Sequence, residues 1–389
     1  MISLFLASVI NVDILYISIN LLLLFVFIIA GYNVSKGGSY WRNAYVCIVM
    51  FVLVFGSRFN RGHDYAHYVD AYLHGDEGHE YLFTAFNTFL REVLNLSKYL
   101  IFYIYSVPFI ICGFKFLKNF KVLSRWLFPL FLISMTYFEE YEIRQAFGFS
   151  FVFLFLDEFI NKRHTLKRKI LVCIVYCILI IGTHSANILF VLIFLLTYFI
   201  IKQVIPYYLS IPLLLFATYI FPSIYDISYL NPIFDILGTS GNTKFAQYTE
   251  GDAAEAWFGE SALQLDNARN PVIQFFELLA NSSLFYFSCK SLKANDKTVL
   301  FLIVTLTNLY IIGHIGKQAF LYLEILNRMA GMFQRMWFIP LAIVLSNQRF
   351  AKLNTLERLS YFSMFFIFYD YMKYLIAPFP GYTKFLWDI

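Results

Sequence analysis

Apolar residues in this chain arrive in long runs, not in alternation. The segments Ile188 to Ile201 and Ile211 to Ile220 are all but continuously apolar, where a membrane β-barrel would read as short segments of alternating polarity. Helices are therefore expected. Windows of roughly 17–25 apolar residues, the length that spans a hydrocarbon core, place about twelve of them along the chain. They fall near residues 13–33, 43–57, 99–117, 124–139, 143–160, 170–184, 185–202, 206–225, 271–290, 298–316, 329–346 and 359–377.

From Glu80 to Leu96 the pattern changes. Leu82, Phe83, Phe86, Phe89, Leu90, Val93 and Leu94 recur at helical spacing, but Arg91 and Glu92 sit near the end. This segment reads as an amphipathic or re-entrant helix, because counting it as a crossing would invert the charge pattern downstream. The fold class expected is thus all-α, a polytopic integral membrane protein. One membrane domain covers residues 1–389, with an outer loop at 58–98 and a larger one at 226–270.

Composition agrees with this reading. At 60% apolar and 14% charged residues, with a mean hydropathy of +0.64, the chain cannot cover a soluble globule with charge. Its 29 Tyr and 46 Phe exceed what interfacial belts require, so many are expected at helix contacts or in a lipid-facing groove. Cys47, Cys112, Cys173, Cys177 and Cys289 fall within apolar spans and read as small packing side chains, not disulfide partners. The N-terminal run lacks a basic leader, so Met1 to Tyr32 is expected to be retained as the first anchor.

Under this topology the loops at 34–42, 115–125, 161–169, 202–205, 290–297 and 347–358 share one side. They collect 18 of the 30 basic residues, opposed only by Asp157, Glu158, Asp296 and Glu357, which makes that side cytoplasmic by the positive-inside rule. The cations left on the outer side need a reason. Arg58, Arg61, Arg144, Lys317 and Arg328 each lie within about a turn of a predicted helix end, and Arg335 lies within the second turn of the 329–346 window. Arginine near hydrocarbon is costly unless it meets an anion or lines a wet cavity. Two explanations stand: ion pairs with Glu139, Glu140, Glu142 and Glu324, or convergence on an anionic ligand. Pyrophosphate fits the second, because guanidinium forks match phosphate oxygens in pairs.

The densest polar stretch is Arg58-Phe59-Asn60-Arg61-Gly62-His63-Asp64-Tyr65-Ala66-His67-Tyr68, directly after an apolar run. His63 and His67 resemble metal ligands, but no third ligand is evident and the flanking Arg would repel a cation, so no metal is expected. Glu139 and Glu140 lead into an apolar helix and read as caps at its N-terminus; Glu142 and Arg144 lie deeper. His184, at an outer helix boundary, is either a hydrogen-bonded structural residue or a proton acceptor near neutral pH. The 226–270 loop is acidic, with Tyr248, Trp257 and Phe258 as rings of the kind that stack on sugars.

These ordered signals resemble the EpsG/Wzy class of bacterial polysaccharide polymerases. The resemblance rests on Arg58 and Arg61 with Gly62-His63-Asp64-Tyr65 and Tyr68, then Glu80 opening an apolar helix. It continues through Ile143-Arg144-Gln145-Ala146, Thr183-His184-Ser185-Ala186 and Leu326-Asn327-Arg328-Met329-Ala330. His63 stands where the family usually has a small polar residue, and Phe147 where small residues are more common. The resemblance implies a glycosyltransferase at the periplasmic face of the bacterial inner membrane, making O-antigen, capsule or exopolysaccharide. Donor and acceptor would both be linked to undecaprenyl pyrophosphate, with membrane lipid around them, room for a chain-length regulator protein, no cofactor and no nucleic acid. Arg58, Arg61, Arg144 and Arg328 would then hold pyrophosphate. Asp64, Glu142 and His184 are the candidate bases, and Tyr65 and Tyr68 would contact sugar.

Two other activities share such a substrate. A lipid-linked oligosaccharide flippase should show an internal repeat, and residues 1–195 and 196–389 show none. An O-antigen ligase is marked by a large outer loop with Arg and His, and the 226–270 loop has Arg269 but no His.

Overall fold

The computed structural model describes residues 2–61, 64–75, 80–161, 163–221, 270–292, 299–321, 324–347, 350–376 and 384–385. The chain forms two compact units, one of Met1–Leu192 with Phe368–Ile389, the other of Ile193–Ile367. The large loop expected at 226–270 lies, but for Asn270, outside the described residues.

In the first unit the helices follow the apolar runs: α1 (Ile2–Ser35), α2 (Tyr40–Gly56), α3 (Tyr65–His74), α4 (Tyr81–Thr88), α5 (Ile101–Leu117), α6 (Ser124–Tyr141), α7 (Ile143–Ile160) and α8 (Leu166–Thr183). Next, α9 (Asn187–Ile200) leads into the second unit, and α16 (Tyr369–Ile376) returns to the first. Two-residue strands β1 (Arg58–Phe59) and β2 (Lys384–Phe385) pair antiparallel, Arg58 opposite Phe385.

Three stretches of the described residues are long and apolar enough to cross a bilayer, namely Ile14–Ser35, Ile101–Tyr141 and Leu326–Asn347. Tyr40–Gly56, Asn187–Ile200 and Tyr207–Tyr219 are shorter apolar helices. Helices thus stand where the sequence places them, but length and apolarity alone do not carry the expected count of about twelve crossings. At 1.5 Å per residue Ile101–Tyr141 would reach about 60 Å, twice a hydrocarbon core. It breaks instead at Phe120, whose non-helical φ of −116° and ψ of 28° separate α5 from α6.

The basic loops of this unit meet at one end of its bundle. Lys118 stacks on Trp41, Arg125 on Tyr32, and Lys115 and Asn119 both reach Asp157 on α7. The opposite end holds the break between α6 and α7, the start of α5, and the turn between α8 and α9. There α4 is a short surface helix with Tyr81 81% exposed and Phe83 fully buried. A π-helical turn at Phe89–Val93 ends it. Beneath α3 and α4, Tyr65, Tyr68, Tyr72, Phe83, Leu90, Ile101, Phe102, Tyr105, Ile143 and Phe147 form one core.

The second unit contains α10 (Tyr207–Tyr219), α11 (Pro271–Ser291), α12 (Val299–Ala319), α13 (Glu324–Gln334), α14 (Phe338–Asn347) and α15 (Thr355–Ser363). Asn270 caps α11 through Val272 N–H, and Asn354 with Glu357 forms a capping box on α15. Its buried polar groups pair across helices: Tyr310 donates to Asn281, and His314 Nδ1 lies 3.0 Å from Gln334 Nε2.

Candidate functional site

The two arginines that follow α2 are buried. Arg58 is 0% exposed and places Nη2 2.9 Å from Glu139 Oε1. Its Nη1 donates to the Glu139 and Glu140 carbonyls, satisfying acceptors left open at the end of α6. Ser106 on α5 donates to the same Glu139 carboxylate, and the Arg58 guanidinium lies 4.9 Å from the Phe102 ring centre. Arg61, 2% exposed, forks onto Glu140 with Nε 2.6 Å from Oε1 and Nη2 3.1 Å from Oε2. Tyr374 on α16 donates to Glu140 as well, and Arg61 stacks on Tyr16 of α1.

This corrects the reading of Glu139 and Glu140 as N-terminal caps. Both lie in the last turn of α6, the end where a helix dipole disfavours carboxylates, and the arginines compensate them. The ion-pair alternative therefore describes Arg58 and Arg61 as they stand, and their charge is already matched.

A second cluster forms on the other side of the α6–α7 break and is partly exposed. Glu80, the residue before α4, accepts from Ser185 N–H at 3.0 Å and Ser185 Oγ–H at 2.9 Å, both on Oε1. Arg144 Nη1 lies 3.1 Å from Glu80 Oε2, and His184 Nδ1 lies 3.8 Å from Oε1. Arg144, His184 and Glu80 keep 21%, 18% and 13% of their side-chain surface. Burial pushes the Glu80 carboxyl up, but Arg144, Ser185 N–H and His184 outweigh it and hold the group at about 2. Tyr68 lies close by: burial raises its phenol to about 12 while Arg144 opposes, and the charges of Asp64 and Glu142 also reach it.

Close backbone approach makes this cluster possible. A Cβ on Gly182 would fall 2.4 Å from Leu82 Cδ1, so the glycine lets α4 rest on α8 and brings Glu80 to Ser185. A Cβ on Gly148 would fall 2.8 Å from Asn187 Nδ2 and 3.1 Å from His184 Cβ. Asn187 in turn donates to the Gln145 carbonyl at 2.9 Å, tying the start of α9 to α7.

Of the residues singled out in the sequence, Arg144 and His184 meet at Glu80, and Arg144, Asp64 and Glu142 lie within electrostatic reach of Tyr68. Asp64 and Glu142 are half-buried. Tyr65 and Tyr68, expected on sugar, are 5% and 6% exposed core residues, and Tyr65 stacks on Phe102 with centroids 4.4 Å apart. Arg328 is exposed on α13 in the second unit. His63 and the rings at 248, 257 and 258 lie outside the described residues, and His67 is exposed on α3. Glu80 entered the sequence reading only as a helix opener, and Ser185 only as a neighbour of His184. The available signal was a carboxylate at the border between a polar loop and an amphipathic helix.

These apolar helices, with a charged and partly open cluster at one end of a bundle, define a helical membrane protein. A family model extends that: the EpsG family matches residues 43–385, and the chain belongs to this family of polysaccharide-polymerase-type membrane proteins. No curated protein and no solved structure matches the chain.

Proposed function

We propose that the protein is a bacterial polysaccharide polymerase of O-antigen, capsule or exopolysaccharide synthesis, a multi-pass protein of the inner membrane. In this reading it moves a growing glycan from undecaprenyl pyrophosphate onto a lipid-linked repeat unit at the periplasmic face. The observation that carries the reading is Arg144, held half-open beside Glu80 and His184 at the end of the bundle opposite the basic loops.

An acceptor hydroxyl attacks the anomeric carbon of the donor, and the bond to the pyrophosphate oxygen breaks with its electron pair leaving on the lipid. Charge develops on the departing diphosphate, and a preorganised guanidinium aimed there is the largest stabilisation a protein without a cofactor can offer. Arg144 and Arg328 are the arginines assigned to this role. Arg58 and Arg61 instead hold the scaffold, since withdrawing either from its carboxylate would leave a buried charge unmatched. The hydroxyl proton goes to Asp64, Glu142 or His184. Tyr65 and Tyr68 belong to the core beneath α3 and α4.

The test is polymerisation by the purified protein in detergent, supplied with one undecaprenyl-pyrophosphate-linked repeat unit. A ladder of lengthening glycans supports the polymerase. No ladder, with movement of the same lipid across liposome membranes, would replace it by a flippase.

A further inference from the structure

The Glu80 carboxylate rests in a setting built for a larger anion. Its partners come from two other elements: Arg144 from the first turn of α7, Ser185 and His184 from the turn between α8 and α9. A backbone N–H, a hydroxyl and a guanidinium converging on one oxyanion also suit a phosphate group, which accepts from the same donors with more oxygens. The carboxylate leaves part of the set unused. Arg144 Nε is buried with no hydrogen-bond partner, while the residue as a whole keeps 21% of its side-chain surface.

We propose that Glu80 holds the place of a substrate diphosphate. One phosphate of the lipid-linked diphosphate takes Arg144 and Ser185 from Glu80, and Glu80 returns when the lipid diphosphate departs. This rests on the polymerase reading for the identity of the diphosphate, and it adds Ser185 and Glu80 to the residues that act on it. In the empty protein Glu80 keeps the Arg144 charge matched beside hydrocarbon. When the diphosphate arrives, two anions compete for one guanidinium, and the more highly charged one wins.

Binding of inorganic pyrophosphate to the purified full-length protein, followed by calorimetry, tests this apart from polymerisation. Glu80→Gln keeps the shape and removes the competing charge, so pyrophosphate should bind about ten-fold tighter than to wild type. Adding Arg144→Ala to Glu80→Gln should abolish that binding, and Ser185→Ala should weaken it about five-fold. Unchanged or weaker binding by a Glu80→Gln protein that still melts cooperatively would overturn the proposal. So would inorganic phosphate binding as tightly as pyrophosphate, which would deny the diphosphate assignment. Should Glu80→Gln fail to fold, Ser185→Ala decides, full wild-type affinity being the contrary result. A wild type that makes no glycan ladder yet gives these binding shifts would remove the polymerase and leave the anion exchange standing.

Discussion

Arg61 and Glu140 form a two-pronged ion pair 2% exposed on both sides, closed by Tyr374 from the far end of the chain. The pair ties the segment after α2 to α6, α1 and α16. Removing one partner leaves the other charged and buried, so Arg61→Ala is expected to cost about 3–5 kcal/mol. Arg61→Met with Glu140→Leu should recover most of that. Thermal melts in detergent by size-exclusion fluorescence check it, and an unaltered Arg61→Ala melt would contradict the pair's structural role.

Tyr374→Phe keeps Arg61 and Glu140 together but removes one donor to a charged acceptor. Such a bond contributes about 1.5–3 kcal/mol, so the melt should fall by less than for Arg61→Ala. Equal losses would mean that the hydroxyl, not the guanidinium, holds Glu140.

Gly182 sets how closely α4 rests on α8. A methyl there meets Leu82 at 2.4 Å, and Gly182→Ala should destabilise by about 1–3 kcal/mol through overpacking. Leu82→Ala in the same protein makes room and should restore the melt. No recovery would place the strain elsewhere.

Glu80 gives a pH signature. Its carboxyl, ordinarily near 4.5, is held at about 2 in the folded protein. The stabilisation this represents is complete above about 4.5 and disappears as pH falls to about 2. The melting difference between wild type and Glu80→Gln should therefore be constant from pH 7 to 5 and shrink below that. A difference that grows on acidification would reverse the sign of the argument.

Much of this fold is legible in the sequence because membrane helices announce themselves by uninterrupted apolarity. Residues 143–160 coincide with α7, and 99–117 misses α5 by two residues at its start. Boundaries slip where capping decides: α8 begins at Leu166, not 170, because the Thr165 side chain accepts from Arg168 N–H. The π-turn at Phe89 left no periodic signal. Of the candidate site, Arg144, His184, Asp64 and Glu142 stand out in the sequence because charge beside hydrocarbon is conspicuous. Arg58 and Arg61 were equally conspicuous for the other reason. Their partners lie some eighty residues away on α6, and a sequence cannot distinguish an arginine awaiting an anion from one already holding it.

The most direct measurement compares glycan ladders from Arg144→Lys and from Arg61→Met with Glu140→Leu, both at wild-type melting temperature. In the proposed function Arg144 is a planar fork on diphosphate, so Arg144→Lys should lose polymerisation by about a hundred-fold or more. The neutralised Arg61 pair should retain it. A ladder that survives Arg144→Lys and disappears with the Arg61 pair would move the diphosphate to the buried arginines and contradict this account.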